Sequence, residues 1–243
     1  MTHDNHSTDH DHDHSHDHDH GHDHGHGTSG LTEGEVRALF EPASWDERYG
    51  AGGAVFSRNP NRQVVVETEG LTPGTALDVG CGEGGDAVWL AERGWKVTGT
   101  DFSAVALERC AALAAERGVT DGTEWRQADA RTWQADGDQW DLVSSQFIHL
   151  PDGAMPGLVR RLAEAVAPGG TLLVVGHHPR DIESGLRWSI DGILFEPEEL
   201  LAGLDDDAWE VRTEVRTREE RSPAGDLLTV RDSVLVARRP VAN

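Results

Sequence analysis

Cysteine, lysine and long apolar runs are scarce in this 243-residue sequence. Its two cysteines, Cys81 and Cys110, cannot build a disulfide framework, and such sparing use fits a reducing cytoplasm. No stretch approaches the roughly 18 consecutive apolar residues of a membrane span, so no membrane partner is expected. The opening Met1-Thr2-His3-Asp4 has neither a basic n-region nor an apolar h-region, so no secretory signal is expected. Positive charge is scarce as well. Lys and Arg number 21 against 44 Asp and Glu, for a net charge of −23, and Lys96 is the single lysine. Binding to a phosphate backbone needs clustered cations, so no nucleic-acid partner is expected either. Hydrophobic residues make up 37%, enough for one core if they are concentrated. These absences together describe a soluble, cytoplasmic protein.

What is abundant is histidine, unevenly placed. Eleven of the 14 histidines lie between His3 and His26, interleaved with seven aspartates and with no apolar residue after Met1. Such a stretch cannot bury enough surface to offset its conformational entropy, so residues 1–30 are predicted to be a disordered tail. The tail ends in the glycine-rich linker Gly25-His26-Gly27-Thr28-Ser29-Gly30. Residues 31–243 are predicted to form one domain, still acidic with 37 acids against 21 bases. His10, His12, His14, His16, His18, His20, His22, His24 and His26 are candidate ligands for Zn²⁺ or Ni²⁺. The bland counterpart is a solubilising tail or an expression tag. Tags usually carry uninterrupted histidines, whereas these alternate mainly with aspartate.

From Thr75 onward, short β-branched runs alternate with Ala/Leu-rich helical patterns. Strands are predicted at Thr75–Val79, Trp95–Thr100, Thr123–Gln127, Asp141–Ser145 and Thr171–Val175. Helices are predicted at Asp86–Arg93, from a Ser103 cap to about Arg117 before the stop at Gly118, around Leu158–Val166 and near Pro197–Ala202. That alternation implies βαβ units and a parallel sheet covered on both faces. Trp209–Thr217 and Leu227–Arg238 flank the turn signal Arg221-Ser222-Pro223-Ala224-Gly225 and predict an added edge hairpin.

The most informative segment is Asp78-Val79-Gly80-Cys81-Gly82-Glu83-Gly84-Gly85, a buried strand running into a glycine-rich turn that opens a helix. Glycines let a backbone approach a ligand closely, and the helix start offers free N–H groups. By spacing alone, Gly80, Gly82 and Gly85 also fit a dinucleotide-binding pattern, which keeps an NAD-dependent oxidoreductase open. The flanking acids argue against it. Asp78 and Glu83 would repel a pyrophosphate and suit a ligand with an ammonium and a sulfonium. Asp101 ends the next strand, 21 residues after Gly80, where a carboxylate can accept both ribose hydroxyls. Asp129 ends the third strand, where it could accept from an adenine amino group. The ligand so described carries adenosine and positive charge but no phosphate.

In these residues the chain resembles the class I S-adenosylmethionine-dependent methyltransferases. The resemblance is carried by the Asp78–Gly84 loop, Asp101-Phe102-Ser103, Gln127-Ala128-Asp129-Ala130, Leu142–His149, and Pro168-Gly169-Gly170 before Thr171–Val175. It implies a Rossmann-like α/β fold with a mostly parallel seven-stranded sheet, order 3-2-1-4-5-7-6, and an antiparallel edge hairpin. It implies an enzyme that moves a methyl group from S-adenosylmethionine to a small-molecule acceptor. Implied cofactor-binding residues are Asp78, Gly80, Gly82, Gly84, Asp101, Phe102, Asp129, Ala130 and Gln146. Trp45-Asp46-Glu47-Arg48-Tyr49 and Phe56–Asn61 are similar to the tellurite-resistance and thiopurine-type enzymes of that family. In those an N-terminal segment folds over the cofactor, which would make Trp45 and Tyr49 part of a lid. Trp45 and Tyr49 could equally be a hydrophobic staple, and Arg48 or Arg62 could meet the methionine carboxylate.

His149 is the candidate catalytic residue, a general base by chemistry or else a structural histidine under Leu150-Pro151. His177 and His178 follow the fifth strand and are expected to face the same region, lining an acceptor pocket, pairing on a metal or simply forming a loop. The alternative function is a metal-buffering protein in which the tail matters and the domain binds the cofactor without turnover. Deleting residues 1–30 is expected to abolish most Zn²⁺ or Ni²⁺ binding while leaving domain stability and cofactor affinity unchanged. Metal titration of the full-length and truncated chains at about pH 7.5, where imidazoles are mostly neutral, checks this. Loss of both properties together would couple the tail to the site.

Overall fold

Residues that must be apolar on two sides at once set the architecture. The computed structural model describes residues 38, 40–184, 187, 192–205, 209–222 and 225–241. The tail, its linker and Pro223-Ala224 of the expected turn lie outside the described residues. Strands β1 (Thr75–Val79), β2 (Lys96–Asp101), β3 (Thr123–Gln127), β4 (Trp140–Gln146), β5 (Val166–His177), β6 (Glu210–Arg221) and β7 (Leu227–Arg238) form one sheet. Their order is β3-β2-β1-β4-β5-β7-β6, with β1 to β5 paired in parallel and β7 antiparallel to both β5 and β6. This is the expected topology, including the edge hairpin.

Among the described residues, the α-helices that accompany the sheet are α1 (Pro42–Gly50), α2 (Arg62–Thr68), α3 (Gly85–Glu92), α4 (Ala104–Arg117) and α5 (Met155–Glu164). Ser103 caps α4 by accepting from the Ala106 N–H at 3.1 Å, and Gly118 ends it. Along α5 the buried residues Met155, Leu158, Val159 and Leu162 recur at helical spacing and press one stripe onto the sheet.

Alternate residues of each central strand supply two separate cores. Leu77, Val143, Leu172 and Leu235 join α5 in one core. Ala76, Leu142, Leu173 and Val234 join Val64 of α2 and Leu90 of α3 in the other.

Three boundaries differ from expectation. α5 starts and stops earlier, at Met155 and Glu164. β5 begins at Val166, because Trp140 pairs with Val166 before the register shifts to Leu142 opposite Thr171; Pro168-Gly169-Gly170 is thus an irregularity within a strand. β6 continues to Arg221, where ion pairs rather than apolar alternation sustain it. The segment Pro197–Gly203 is a 3-10 helix. Among the described residues, no helix is long and apolar enough to cross a membrane.

Leu142 is fully buried in the middle of β4. Leu142→Ala is expected to cost about 2–5 kcal/mol of unfolding free energy through lost transfer energy and a residual cavity. Urea unfolding measures it, and a loss well under 1 kcal/mol would mean that the second core is loosely packed.

Candidate active site

β1 ends in a turn that only glycine can make. Gly80 has φ +74°, and a Cβ there would sit 2.4 Å from Ile148 Cδ1. The Gly80 and Cys81 N–H groups both donate to Thr100 O, at 2.7 and 3.0 Å, which ties the loop to β2. Cys110 on α4 supports it from below, its Sγ donating to Gly82 O at 3.0 Å. A cavity of about 750 Å³ opens above this loop, along the carboxyl ends of the strands.

Of the residues expected at the site, Trp45, Tyr49, Asp78, Gly80, Gly82, Asp101, Phe102, Asp129, Ala130, Gln146 and His149 line this one cavity. Gly84 does not. It stands as the left-handed cap of α3, packed on Cys110. The candidate metal ligands His10 to His26 lie outside the described residues. No cluster of three or more His, Cys, Asp or Glu that could hold a metal occurs among the described residues.

The acids divide by what they touch. Asp78 is 2% exposed, and among the described residues no group hydrogen-bonds its carboxylate. Burial, with Asp86 and Asp101 nearby, pushes its carboxyl well above the usual range. Asp101 accepts from the Gly82 N–H at 3.0 Å on Oδ2 and from the Ser103 N–H at 2.9 Å on Oδ1. Burial raises its pKa while those bonds oppose the shift. Asp129 is already ion-paired: Arg131 reaches Oδ2 at 2.6 Å and also grips Glu41 at 3.0 Å. Burial alone would raise Asp129, but Arg131 holds it below the usual range.

Glu83 lines the cavity, but its carboxylate is committed to the protein rather than open to a cationic ligand, which corrects the expectation for it. Its Oε2 accepts from the Val55 and Phe56 N–H groups, both at 2.9 Å, and its Oε1 pairs with Arg109 at 2.5 Å. Arg109 also donates to the Tyr49 and Gly53 carbonyls. Asp86 accepts from the Asn61 backbone at 2.5 Å and from its side chain at 2.6 Å. Ser103 Oγ donates to Asp46 of α1. These anchors hold residues 46–61 over the glycine loop. There Trp45, Tyr49 and Phe56 form an aromatic cluster with ring centroids 5.6 to 6.5 Å apart. Arg48 lies over the Trp45 ring, and with Arg62 it lines the cavity.

At the other end stand Gln146, Phe147, His149 and His177. His149 Nε2 accepts the His177 backbone N–H at 2.9 Å, so the lone pair a general base would use is engaged. Burial pushes His149 down to about 4, against a hydrogen bond to the Phe147 backbone. His177 and His178 do not share a region. His177 lines the cavity, whereas His178 points away, its Nε2 2.6 Å from Glu196 and its Nδ1 accepting from the Arg180 N–H. Side chains alternate at a strand end, which separates the two.

Wall residues that had not been expected include Gln63, Arg187, Arg218, Glu220 and Asp232. A signal existed for two of them. Arg212, Glu214, Arg216, Arg218 and Glu220 recur at every second position of β6, the spacing of one strand face.

Residues 76–170 match the Methyltransferase domain family. The probable chloroplastic tocopherol O-methyltransferase of Oryza sativa subsp. japonica is 37% identical over 180 residues, 63% of this chain and 49% of the rice enzyme. This chain thus spans about half the length of that relative. The 2-heptyl-1-hydroxyquinolin-4(1H)-one methyltransferase of Mycobacteroides abscessus is 32% identical over 157 residues, 56% of this chain and 67% of that protein. A solved structure from work on converting a disulfide bond into a thioacetal group during echinomycin biosynthesis superposes with a TM-score of 0.64. It covers 86% of this chain and 92% of its own at 22% identity, a likeness of fold.

The buried Asp78 has a testable energetic consequence. Its folded-state pKa lies above its unfolded value, so the native state binds more protons and stability falls as pH rises from about 3.8 through that raised value. Asp78→Asn removes the penalty. The ligand-free variant is therefore expected to be more stable than the parent at pH 7 and indistinguishable from it near pH 3. Thermal unfolding at the two pH values tests this; destabilisation at pH 7 would mean that Asp78 has a native partner.

Proposed function

This chain belongs to the class I S-adenosylmethionine-dependent methyltransferase family, and from that premise we propose that it methylates a small-molecule acceptor. The observation that carries the proposal is Asp78. A buried carboxylate on a cavity wall with no hydrogen-bond partner is costly unless a cationic or donating ligand meets it. A nicotinamide dinucleotide would bring a pyrophosphate to the same glycine turn, beside a group that repels it. S-adenosylmethionine, when bound, supplies an electrophilic methyl carbon on a sulfonium.

In this reading Asp78 complements the ammonium, while Gly80 and Gly82 give the methionine portion close backbone contact. Asp101 keeps a lone pair on each oxygen beyond its two backbone bonds, and these are the acceptors for the ribose diol. Phe102 and Ala130 flank the adenine. Asp129 takes its amino group only by sharing with Arg131. Trp45 and Tyr49 cover the site as a lid, and Gly84 contributes through the turn rather than by contact. Gln146 sits where donor and acceptor meet. We assign no proton transfer to His149, whose lone pair is engaged; it braces the strand ends, and rate comes from positioning.

The narrower kinship to tellurite-resistance and thiopurine-type enzymes rests on residues 45–61 alone. The two named relatives act on tocopherol and on a hydroxyquinolone, which favours small acceptors without identifying this one. Cytoplasmic location and metal binding by residues 10–26 rest on sequence composition.

S-adenosylhomocysteine is expected to raise the melting temperature, since a ligand at a hundredfold excess over its Kd adds about 2.7 kcal/mol to native stability. NAD is expected to have no effect. Asp101→Ala should weaken S-adenosylhomocysteine binding at least about tenfold, because each charge-assisted hydrogen bond is worth roughly 1.5–3 kcal/mol. Thermal shift and calorimetry read both. Stabilisation by NAD with none by S-adenosylhomocysteine would sink the proposal.

A further inference from the structure

The acceptor end of the cavity holds polar groups for which the protein provides no match. Gln146 and His177 close the neighbouring strands β4 and β5. Gln146 Oε1 and His177 Nδ1 are buried without a hydrogen-bond partner. Buried polar atoms are normally paired, so two orphans on the wall of one cavity, on adjacent strands, mark a place where a ligand is to be met. The walls there are flat and aromatic. The His177 ring lies 4.7 Å from Phe147 and stacks on His149 at 5.0 Å with an interplanar angle of 13°.

The charges facing His177 come from three directions. Arg187 pairs with Glu220 of β6 at 2.7 Å. Arg218 of β6 pairs with Glu220 at 2.6 Å and with Asp232 of β7 at 3.2 Å, and sits 5.8 Å from the Phe147 ring centre. Asp232 also accepts from Gln63 of α2 at 3.1 Å. Burial, then His149, Arg187 and Arg218, keep the His177 ring neutral. A neutral imidazole keeps one N–H to donate.

His177 has a lone pair on its second ring nitrogen, but burial and the neighbouring charges hold that ring well below the usual imidazole range, and the other groups offer no ready acceptor for a proton either. His149 uses its lone pair on the His177 backbone. Burial would raise Glu220, but Arg187 and Arg218 hold it below the usual range. Asp232 is raised by burial and bonded to Arg218 and Gln63.

We propose that this end of the cavity binds the methyl acceptor as a preformed anion: a planar aromatic compound whose ring hydroxyl or thiol ionises by itself near neutral pH, lying against Phe147 and receiving the His177 N–H. The proposal rests on the methyltransferase reading above and adds the acceptor class to it. The acceptor's proton leaves to solvent before transfer, and no side chain receives it. The anion's electron pair then forms the bond to the methyl carbon while the carbon–sulfur bond breaks and its pair returns to sulfur. Aromatic hydroxyls and thiols of low pKa are therefore substrates, and aliphatic alcohols are not.

The probe is 4-nitrophenol, whose anion absorbs visible light, added to the full-length protein loaded with S-adenosylhomocysteine. Its bound form is expected to ionise at least about one pH unit below the free compound, the size of shift a nearby donor and cations produce. His177→Leu should abolish most of that shift, and His177→Gln, which keeps an N–H, should restore part of it. S-adenosylhomocysteine affinity, measured alongside, should be the same in all three proteins and reports that the variants are folded. Three results would overturn the proposal alone: binding of S-adenosylhomocysteine with no binding of 4-nitrophenol, binding of the neutral phenol, or an unchanged shift in His177→Leu. Ionisation that follows a protein carboxyl and vanishes in Asp232→Asn would overturn it in favour of a general base. Failure of S-adenosylhomocysteine to bind the parent would overturn both readings together.

Discussion

A chain that leaves a buried parallel strand must turn at once and still keep clear of the side chain packed behind it. Gly80 meets that constraint, with a left-handed backbone and Ile148 where a Cβ would lie. Much follows from the turn. It directs α3 back along the sheet, leaves Asp78 at the cavity wall and presents the Gly82 N–H to Asp101. It also brings Glu83 and Asp86 under the N-terminal segment, where they become anchors for Val55, Phe56 and Asn61. The residues that form the cavity's floor therefore also anchor the segment that forms its roof.

Electrostatics near this turn is uneven by construction. Asp78, Asp86 and Asp101 are all buried close to one another, an arrangement that disfavours charge on each. Asp86 is offset by Asn61 and Asp101 by two backbone N–H groups. Asp78 has no such offset. At the far end Arg187 and Arg218, paired with Glu220 and Asp232, stand beside neutral histidines. The cavity is thus acidic with little compensation at one end, while at the other each arginine is matched by a carboxylate of the same wall.

The alternation of strands and helices, the helix cap at Ser103 and the acids that end β1 and β2 were legible from residue pattern, because each depends on neighbours in sequence; the sheet order followed only from the family resemblance. A strand's burial, a cap's side chain and a glycine's backbone are local properties. The end of β6 was not legible beyond Thr217, since Arg218 and Glu220 are stabilised by Asp232 and Arg187 across strands. The 3-10 geometry of Pro197–Gly203, packed against α5, likewise depends on a distant partner.

The sequence by itself determined the alternation that builds a parallel sheet, the glycine turn at its centre, and which acids end β1 and β2. Tertiary structure alone decided which of the chemically plausible groups face the cavity. It turned Glu83 into the counter-ion of Arg109, tied Asp129 to Arg131, engaged His149 with a backbone N–H and sent His178 to the opposite side from His177. The physical reason is that a polar side chain's role is set by the partner it finds, and those partners lie 2 to 28 positions away in sequence. Spacing records which residue types are present; only the packed chain determines which lone pairs and protons are still unspent.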